Sequence, residues 1–487
     1  MQKDRHEINL DPEDWEGARR NAHELLDVLF DRLKDVGDRP AWQPLPDEIR
    51  DSFREPVPRQ GQALDAVCDR LRDAVIPYPT GNISPRFYGW VMGNGTIDGM
   101  IADMVAAGMN SHLAGYDQSA SEIEDQTIAW CCEIMGYPTT AGGLFVSGGT
   151  MANVIGLIVA RNAADPEHVR HHGLSGLPAF RIYGSSVTHS WAEKGCDIVG
   201  MGRDAMVRVA ADDQHRVDLS ALAEAVADDR KAGRVPLAVV ANVGTVDSGA
   251  IDDLHALADF CEREKLWLHV DGAFGALLAF SEELKHLTEG MARADSIAFD
   301  LHKWGFLQYE IGAVLVRDRA LQEEAFATQA AYLTPPGRGI QPQDLHFAAM
   351  GPQLSRGFRA LKAWVAFQHH GINKIGAIVA QNVEQAQHLA QRVRQHEQLE
   401  LFEPAPLNIV CFRYVVDGVD DETLDGWNRE ILLRIQESGL AVPSSTRRDG
   451  CFVIRVAITN HRSTVSDMNL LLDAVVEHGN AVRATAS

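Results

Sequence analysis

Lys303 follows the apolar run SIAF (296–299), in the stretch Asp300-Leu301-His302-Lys303-Trp304. An amine in a dry site loses its proton more readily, and the neutral amine attacks carbonyl carbon to form a Schiff base. The plain alternative is a surface lysine whose stem lies along an aromatic neighbour. Four other groups stand at the ends of apolar runs in the same way. Asp271 ends LWLHVD. A carboxylate in an apolar run is costly without a cation or donor, so it closes an ion pair, caps a helix, or holds a ring nitrogen protonated. His189 follows FRIYGSS, where a planar imidazole can stack on an aromatic ligand. Thr245 follows PLAVVAN in a Gly-Thr turn and brings a hydroxyl to the sheet edge. Ser147-Gly148-Gly149-Thr150 follows GGLFV and opens the helical run MANVIGLIVARNAA. Small residues there let an anion reach the free N–H groups at the positive end of a helix. The same residues also read as an ordinary cap, with Thr150 capping. They form neither a Walker loop nor a GxGxxG fingerprint, so a nucleotide is not the first expectation.

Groups placed after strands need a sheet to place them. From about residue 130, short β-rich runs alternate with amphipathic helical runs such as LSALAEAVADDRKAG and DLHALADFCEREK. Strands are predicted at 180–186, 236–244, 266–272, 296–300 and 311–318. Their near-continuous apolar character indicates an α/β fold with a mainly parallel sheet covered on both faces. Ligands of such folds bind at the carboxyl ends of the strands, where the five groups stand. Apolar spacing predicts a helix over 13–36, and the five prolines between Pro40 and Pro58 rule out continuous helix after it. Residues 1–90 therefore read as an extended arm, 91–372 as a large domain that a helix over 358–371 leads out of, and 373–487 as a small α+β domain.

Acidic residues outnumber basic ones by 68 to 45, a formal net charge of −23, which speaks against nucleic acid as a partner. No run of 18 apolar residues suggests a membrane span, and the first residues, MQKDRHEINLDPEDWEG, show no signal-peptide core. The seven scattered cysteines show no zinc spacing and fit a reduced, cytoplasmic setting. His171 and His172, in RHHGLSG, read as solvated loop residues, and no metal is expected.

Together the strand ends offer a phosphate cradle, a stacking imidazole, a hydroxyl, a carboxylate for a pyridinium and an amine for an aldehyde. Pyridoxal 5'-phosphate needs that combination. The chain also resembles the group II pyridoxal-phosphate-dependent amino-acid decarboxylases, the family of the aromatic-L-amino-acid, glutamate and histidine decarboxylases. LHVDGAFG followed by SIAFDLHKW is similar to the family's HVDAA and N-P-H-K-W signatures. SGGTMAN is similar to its phosphate loop, and SRGFRALKAW (355–364) to its SRRFRALKLW segment. The resemblance runs from about 80 to 470. It implies a fold-type I enzyme with a seven-stranded sheet and a homodimer sharing its active sites, which the N-terminal arm would wrap. It also implies that Lys303 holds the cofactor aldehyde, Asp271 pairs with the pyridine nitrogen and His189 stacks on the ring. Gly149, Thr150 and His302 would hold the phosphate, with Thr245 near the cofactor, and Gly148 and Asp300 would be further cofactor contacts, Asp300 bringing a negative charge towards the phosphate.

The implied reaction is decarboxylation of an L-amino acid to the amine and CO2. Tyr332, in AAYL, matches the family's loop tyrosine and would protonate the carbon; relatives that make aldehydes carry Phe there. The family Asn of N-P-H-K-W is Asp300 here, the following Pro is Leu301, the Glu after the phosphate loop is Met151, and the second Arg of SRRFR is Gly357. These departures put the substrate in doubt. Phe87, Tyr88 and Trp90 suit an aromatic side chain, Tyr116 and Asp117 fall where substrate-facing groups stand, and Arg356 is a further candidate contact. An aromatic amino acid is the expected substrate. The alternatives are a non-aromatic one, an aldehyde-forming oxidative deaminase, a carbon–carbon lyase, or a non-catalytic protein of the same fold.

Overall fold

The computed structural model describes residues 9–327, 339–340 and 347–486. A two-residue strand β1 (Phe87–Tyr88) follows the N-terminal segment. The large sheet is built from β2 (Gly142–Val146), β3 (Phe180–Ser185), β4 (Met206–Val209), β5 (Val235–Asn242), β6 (Trp267–Asp271), β7 (Ser296–Asp300) and β8 (Gly312–Val316). Its order is β2-β8-β7-β6-β5-β3-β4. The pairs from β7 through β6, β5 and β3 to β4 are parallel, while β8 runs antiparallel to β7 and β2. The chain is thus α/β with a mainly parallel seven-stranded sheet. Apolar patterning predicts no strand at β4, a four-residue edge strand with two of its residues not fully buried.

Both faces of the sheet are dry. Ile297 and Phe299 enter one apolar cluster while Ala298, between them, enters another on the opposite side. That alternation with no polar face is why β7 reads as one unbroken apolar run. The helix Gly149–Ala164 supplies the cover on the Ala298 side through Ala152, Ile155 and Val159.

The second sheet has the order β1-β11-β12-β10-β9, from β9 (Leu399–Phe402), β10 (Ile409–Tyr414), β11 (Val442–Arg448) and β12 (Cys451–Ala457). β1 pairs in parallel with β11, so the end of the N-terminal segment is stitched into the C-terminal sheet. The N-terminal helix Trp15–Lys34 buries only Gly17, and Trp15 is exposed.

Register places the chemistry. Val146 and Asp300 both pair with Gly312, one from each side of β8, so the loop after β2 lies beside the end of β7. Asp271 pairs with Asn242 and Ala298, between the ends of β5 and β7.

Candidate active site

The helix after β2 begins at Gly149, and Gly148 precedes it with no side-chain cap bond. The capping role open to Thr150 is therefore not the one it takes; it is exposed and already inside the helix. The first N–H groups of this helix have no intrahelical acceptors. The glycines are required by closeness: a Cβ on Gly149 would lie 2.8 Å from Asp300 Oδ2, and one on Gly148 3.2 Å from His302 Cε1. The result is a helix N-terminus open to a small anion and walled by Asp300 and His302. His302 Nδ1 accepts from the Ile311 N–H at 3.1 Å, which leaves the ring proton on Nε2. Burial pushes the His302 pKa down, so the ring is neutral.

Lys303 Nζ lies 2.9 Å from Asp300 Oδ2. Burial pulls this lysine down, but the charge of Asp300 and its hydrogen bond, with smaller help from Asp271 and Tyr309, raise its pKa overall. From the sequence, desolvation is expected to free the amine. In this structure the adjacent carboxylate prevails and holds the ammonium.

Asp271, at the end of β6, is 6% exposed. Its Oδ1 accepts from the Ala273 N–H at 3.1 Å and its Oδ2 from the Trp191 indole N–H. Trp191 in turn stands edge-on to His269, with ring centroids 5.8 Å apart. His269 is sealed beneath the site, with Nδ1 2.7 Å from Ser296 Oγ and Nε2 2.6 Å from Asn153 Oδ1. Exposed His189 accepts at Nδ1 from the Trp191 N–H at 3.1 Å, which ties the ring to the start of the helix Trp191–Ile198. Thr245 is buried, and its hydroxyl pairs with Ser248 Oγ at 2.9 Å and accepts from the Ala250 N–H at 3.0 Å.

The His269 packing has a pH consequence. Burial lowers its pKa from 6.5 to about 3. The unfolded chain binds a proton there below pH 6.5 that the folded protein refuses until about pH 3, so this histidine's stability contribution is present above pH 6.5 and lost as pH falls. A shift of that size corresponds to roughly 4–5 kcal/mol at its full extent. Denaturant unfolding at stepped pH is expected to show a shallower acid limb in His269→Gln than in the parent. Equal slopes would refute the assignment.

Two groups escape the strand-end pattern. The Tyr309 ring lies 4.5 Å from the His302 ring, and Tyr309 is half exposed beside Lys303. Gly93 rests on the backbone of His302 and Lys303, where a Cβ would collide with both carbonyls. Neither sits at a strand end, so the rule that located the other groups passes over them.

The substrate-contact expectations divide. Trp90 is 56% exposed in the segment leading to Gly93. Tyr88 is 1% exposed and packs in the C-terminal core with Leu389, Phe412 and Ile454, so it is not a substrate contact. Its neighbour Phe87 is buried against Ala41 and Val442 and likewise faces the interior rather than a substrate. In β1 the second sheet claims both rings. Tyr116 is partly buried with its ring edge-on to His112, and Asp117 is exposed, its N–H donating to Ile340 O at 3.0 Å. Tyr332 lies outside the described residues. His171 and His172 end the short helix Pro166–His172 and are exposed.

Arg356 is also unavailable. Its guanidinium is enclosed with Glu124, both side chains fully buried, and donates to Leu113 O and Phe145 O at 2.9 Å each. Burial outweighs the pairing and raises the Glu124 pKa. Arg356→Met is expected to destabilise the protein by about 3–5 kcal/mol, because it strands a buried carboxylate. Adding Glu124→Leu should restore much of that loss in denaturant unfolding. No recovery would show that the pair is not what matters.

Known proteins share this outline. A model of the pyridoxal-dependent decarboxylase conserved domain matches residues 46–415. The aromatic-L-amino-acid decarboxylase of Bacillus atrophaeus is 31% identical over 459 residues, covering 93% of each chain. The phenylacetaldehyde synthase of Arabidopsis thaliana is 27% identical over 463 residues, covering 92% of this chain and 93% of that one. The crystal structure of Oryza sativa TDC with PLP and tryptamine superposes with a TM-score of 0.88 at 26% identity, covering 97% of this chain and all of that one.

Proposed function

The chain belongs to the pyridoxal-dependent decarboxylases and is a pyridoxal-phosphate-dependent amino-acid decarboxylase, and from that premise we propose that it converts an aromatic L-amino acid to its amine and CO2. The observation that carries the substrate class is the 31% identity over 93% of both chains with an aromatic-L-amino-acid decarboxylase. The half-exposed Tyr309 beside Lys303, with exposed Trp90 nearby in the chain segment that reaches Gly93, offers aromatic faces for such a side chain.

The residues suit the cofactor. A helix N-terminus stands open beyond Gly148, a lysine and a buried carboxylate stand near one another, and Asp300 Oδ1 is buried without a hydrogen-bond partner among the described residues. Gly148, Gly149, Thr150 and His302 would hold the phosphate, His189 would cover the ring, Thr245 would stand beside it, and Lys303 would hold the aldehyde. When bound, pyridoxal phosphate supplies an aldehyde for an amine and a pyridinium ring that accepts the electron pair of the bond being broken.

This chain's residues do the rest. Asp271 would pair with the cofactor's ring nitrogen and hold a proton there, because a buried carboxylate stabilises a cation beside it. Trp191 and the Ala273 N–H fix its two oxygens. Lys303 Nζ must shed its proton to act as a nucleophile, and Asp300 Oδ2 is 2.9 Å away to take it. Tyr332 would deliver the proton at the end of the reaction.

A second reading, aldehyde formation, is favoured by the 27% identity with a phenylacetaldehyde synthase. Screening the twenty amino acids, DOPA, 5-hydroxytryptophan and diaminobutyrate decides both points by mass. Amine with CO2 from aromatic substrates supports the proposal. Aldehyde with ammonia and peroxide replaces the reaction, and turnover confined to non-aromatic substrates replaces the substrate class.

We also assign the protein to a cytoplasmic homodimer. The helix Ile97–Met109 leaves Ile101, Met104, Val105 and Met109 exposed, and Leu64, Val67, Leu71 and Val75 add an apolar stripe from the N-terminal arm. A second copy would bury such faces. Sedimentation giving a monomer at micromolar concentration would overturn the dimer.

A further inference from the structure

Asp300 is 1% exposed at the end of β7. Its Oδ2 holds the Lys303 ammonium at 2.9 Å, while Oδ1 has no hydrogen-bond partner among the described residues. The oxygen that faces the start of the helix Gly149–Ala164 is Oδ2, 2.8 Å from the position of a Cβ on Gly149. Oδ1 lies 2.6 Å from the position of a Cβ on Gly312 and 3.7 Å from one on Gly148. A buried acceptor without a donor is costly, and its partner oxygen Oδ2 stands at the helix start where the phosphate would sit.

The other ionisable groups around it are His302 from the same turn, Tyr309 and Glu310 from the segment entering β8, and Asp271 from β6 acting on Lys303. Burial keeps His302 neutral, so Lys303 is the cation that balances Asp300. Once the amine is committed to an aldehyde, an ionised Asp300 would lose that partner and face a phosphate of its own sign. Two anions sharing a dry site resolve the conflict by protonating one of them.

We propose that Asp300 takes the Lys303 proton as pyridoxal phosphate enters. The Nζ–H bond breaks, an Oδ2–H bond forms, and the neutral carboxyl group then faces the phosphate as a donor rather than a repelling charge. No outside acid or base is needed, and the lysine is left as the neutral nucleophile. Asp300 thus combines two tasks, base toward Lys303 and neutral wall of the phosphate site. The inference rests on placing the phosphate at Gly148–Gly149 and the aldehyde at Lys303.

Infrared difference spectroscopy of the full chain, cofactor-loaded minus cofactor-free, tests it. A protonated-carboxyl C=O band is expected to rise on adding pyridoxal phosphate, to shift with 13C-aspartate labelling, and to be lost in Asp300→Asn. If that variant does not fold, Asp300→Ser serves instead. Absence of the band in protein whose visible absorbance shows lysine-bound cofactor overturns the proposal, as does its persistence in the variants. Failure of the underlying site assignment looks different: the visible absorbance of lysine-bound cofactor would then survive in Lys303→Ala.

Discussion

Lys303→Ala is expected to lower kcat by at least about 10³-fold and to abolish the visible absorbance of lysine-bound pyridoxal phosphate. Two functions are lost together. The covalent anchor for the aldehyde disappears, and so does a group that can move protons beside the reacting carbon, an effect by itself worth roughly 10²–10⁴-fold. The substitution also strips Asp300 of the cation 2.9 Å away, so some loss of stability is expected with it. Lys303→Arg separates the two effects. Arginine can retain the ion pair but offers no neutral amine, so stability should return while turnover and absorbance do not. Substantial turnover by either variant, measured as amine release, would remove Lys303 from the role assigned to it.

Asp271→Asn should lower kcat by about 10²–10³-fold, the range found when one preorganised electrostatic group is removed from a catalytic site. The asparagine keeps the shape and loses the charge. One of its two ends must also turn an NH2 group toward Trp191 Nε1 or the Ala273 N–H, replacing an acceptor with a donor. The lysine-bound cofactor should still be visible, because Asp271 does not hold the aldehyde. A variant with normal absorbance and turnover within a few-fold of the parent would refute the role given to this carboxylate.

The strand-end rule made much of the site legible. Asp271 and Asp300 close β6 and β7, and the glycine loop follows β2, because parallel strands present their carboxyl ends on one edge. Tyr309 and Gly93 were not legible that way. Tyr309 is brought to His302 by a return of the chain after β7, and Gly93 by packing from a segment some two hundred residues earlier. Arg356 misled for the reverse reason. An arginine in a resembling segment looks available in the sequence, and only the surrounding carbonyls and Glu124 show that it is spent on the interior.

What the sequence by itself determined is the class of fold, the cofactor and the positions of the strand-end groups. Buried parallel strands must read as apolar runs, and a polar group at the end of such a run needs a partner there. What only the tertiary structure decided is the state of those groups. Burial alone predicts a neutral Lys303, whereas Asp300 at 2.9 Å makes it an ammonium. That outcome depends on a register pairing Asp300 with Gly312 beside the loop after β2. Charge balance in a dry site is set by neighbours within a few ångströms, and those neighbours come from β6, from β7 and from the segment that joins β7 to β8.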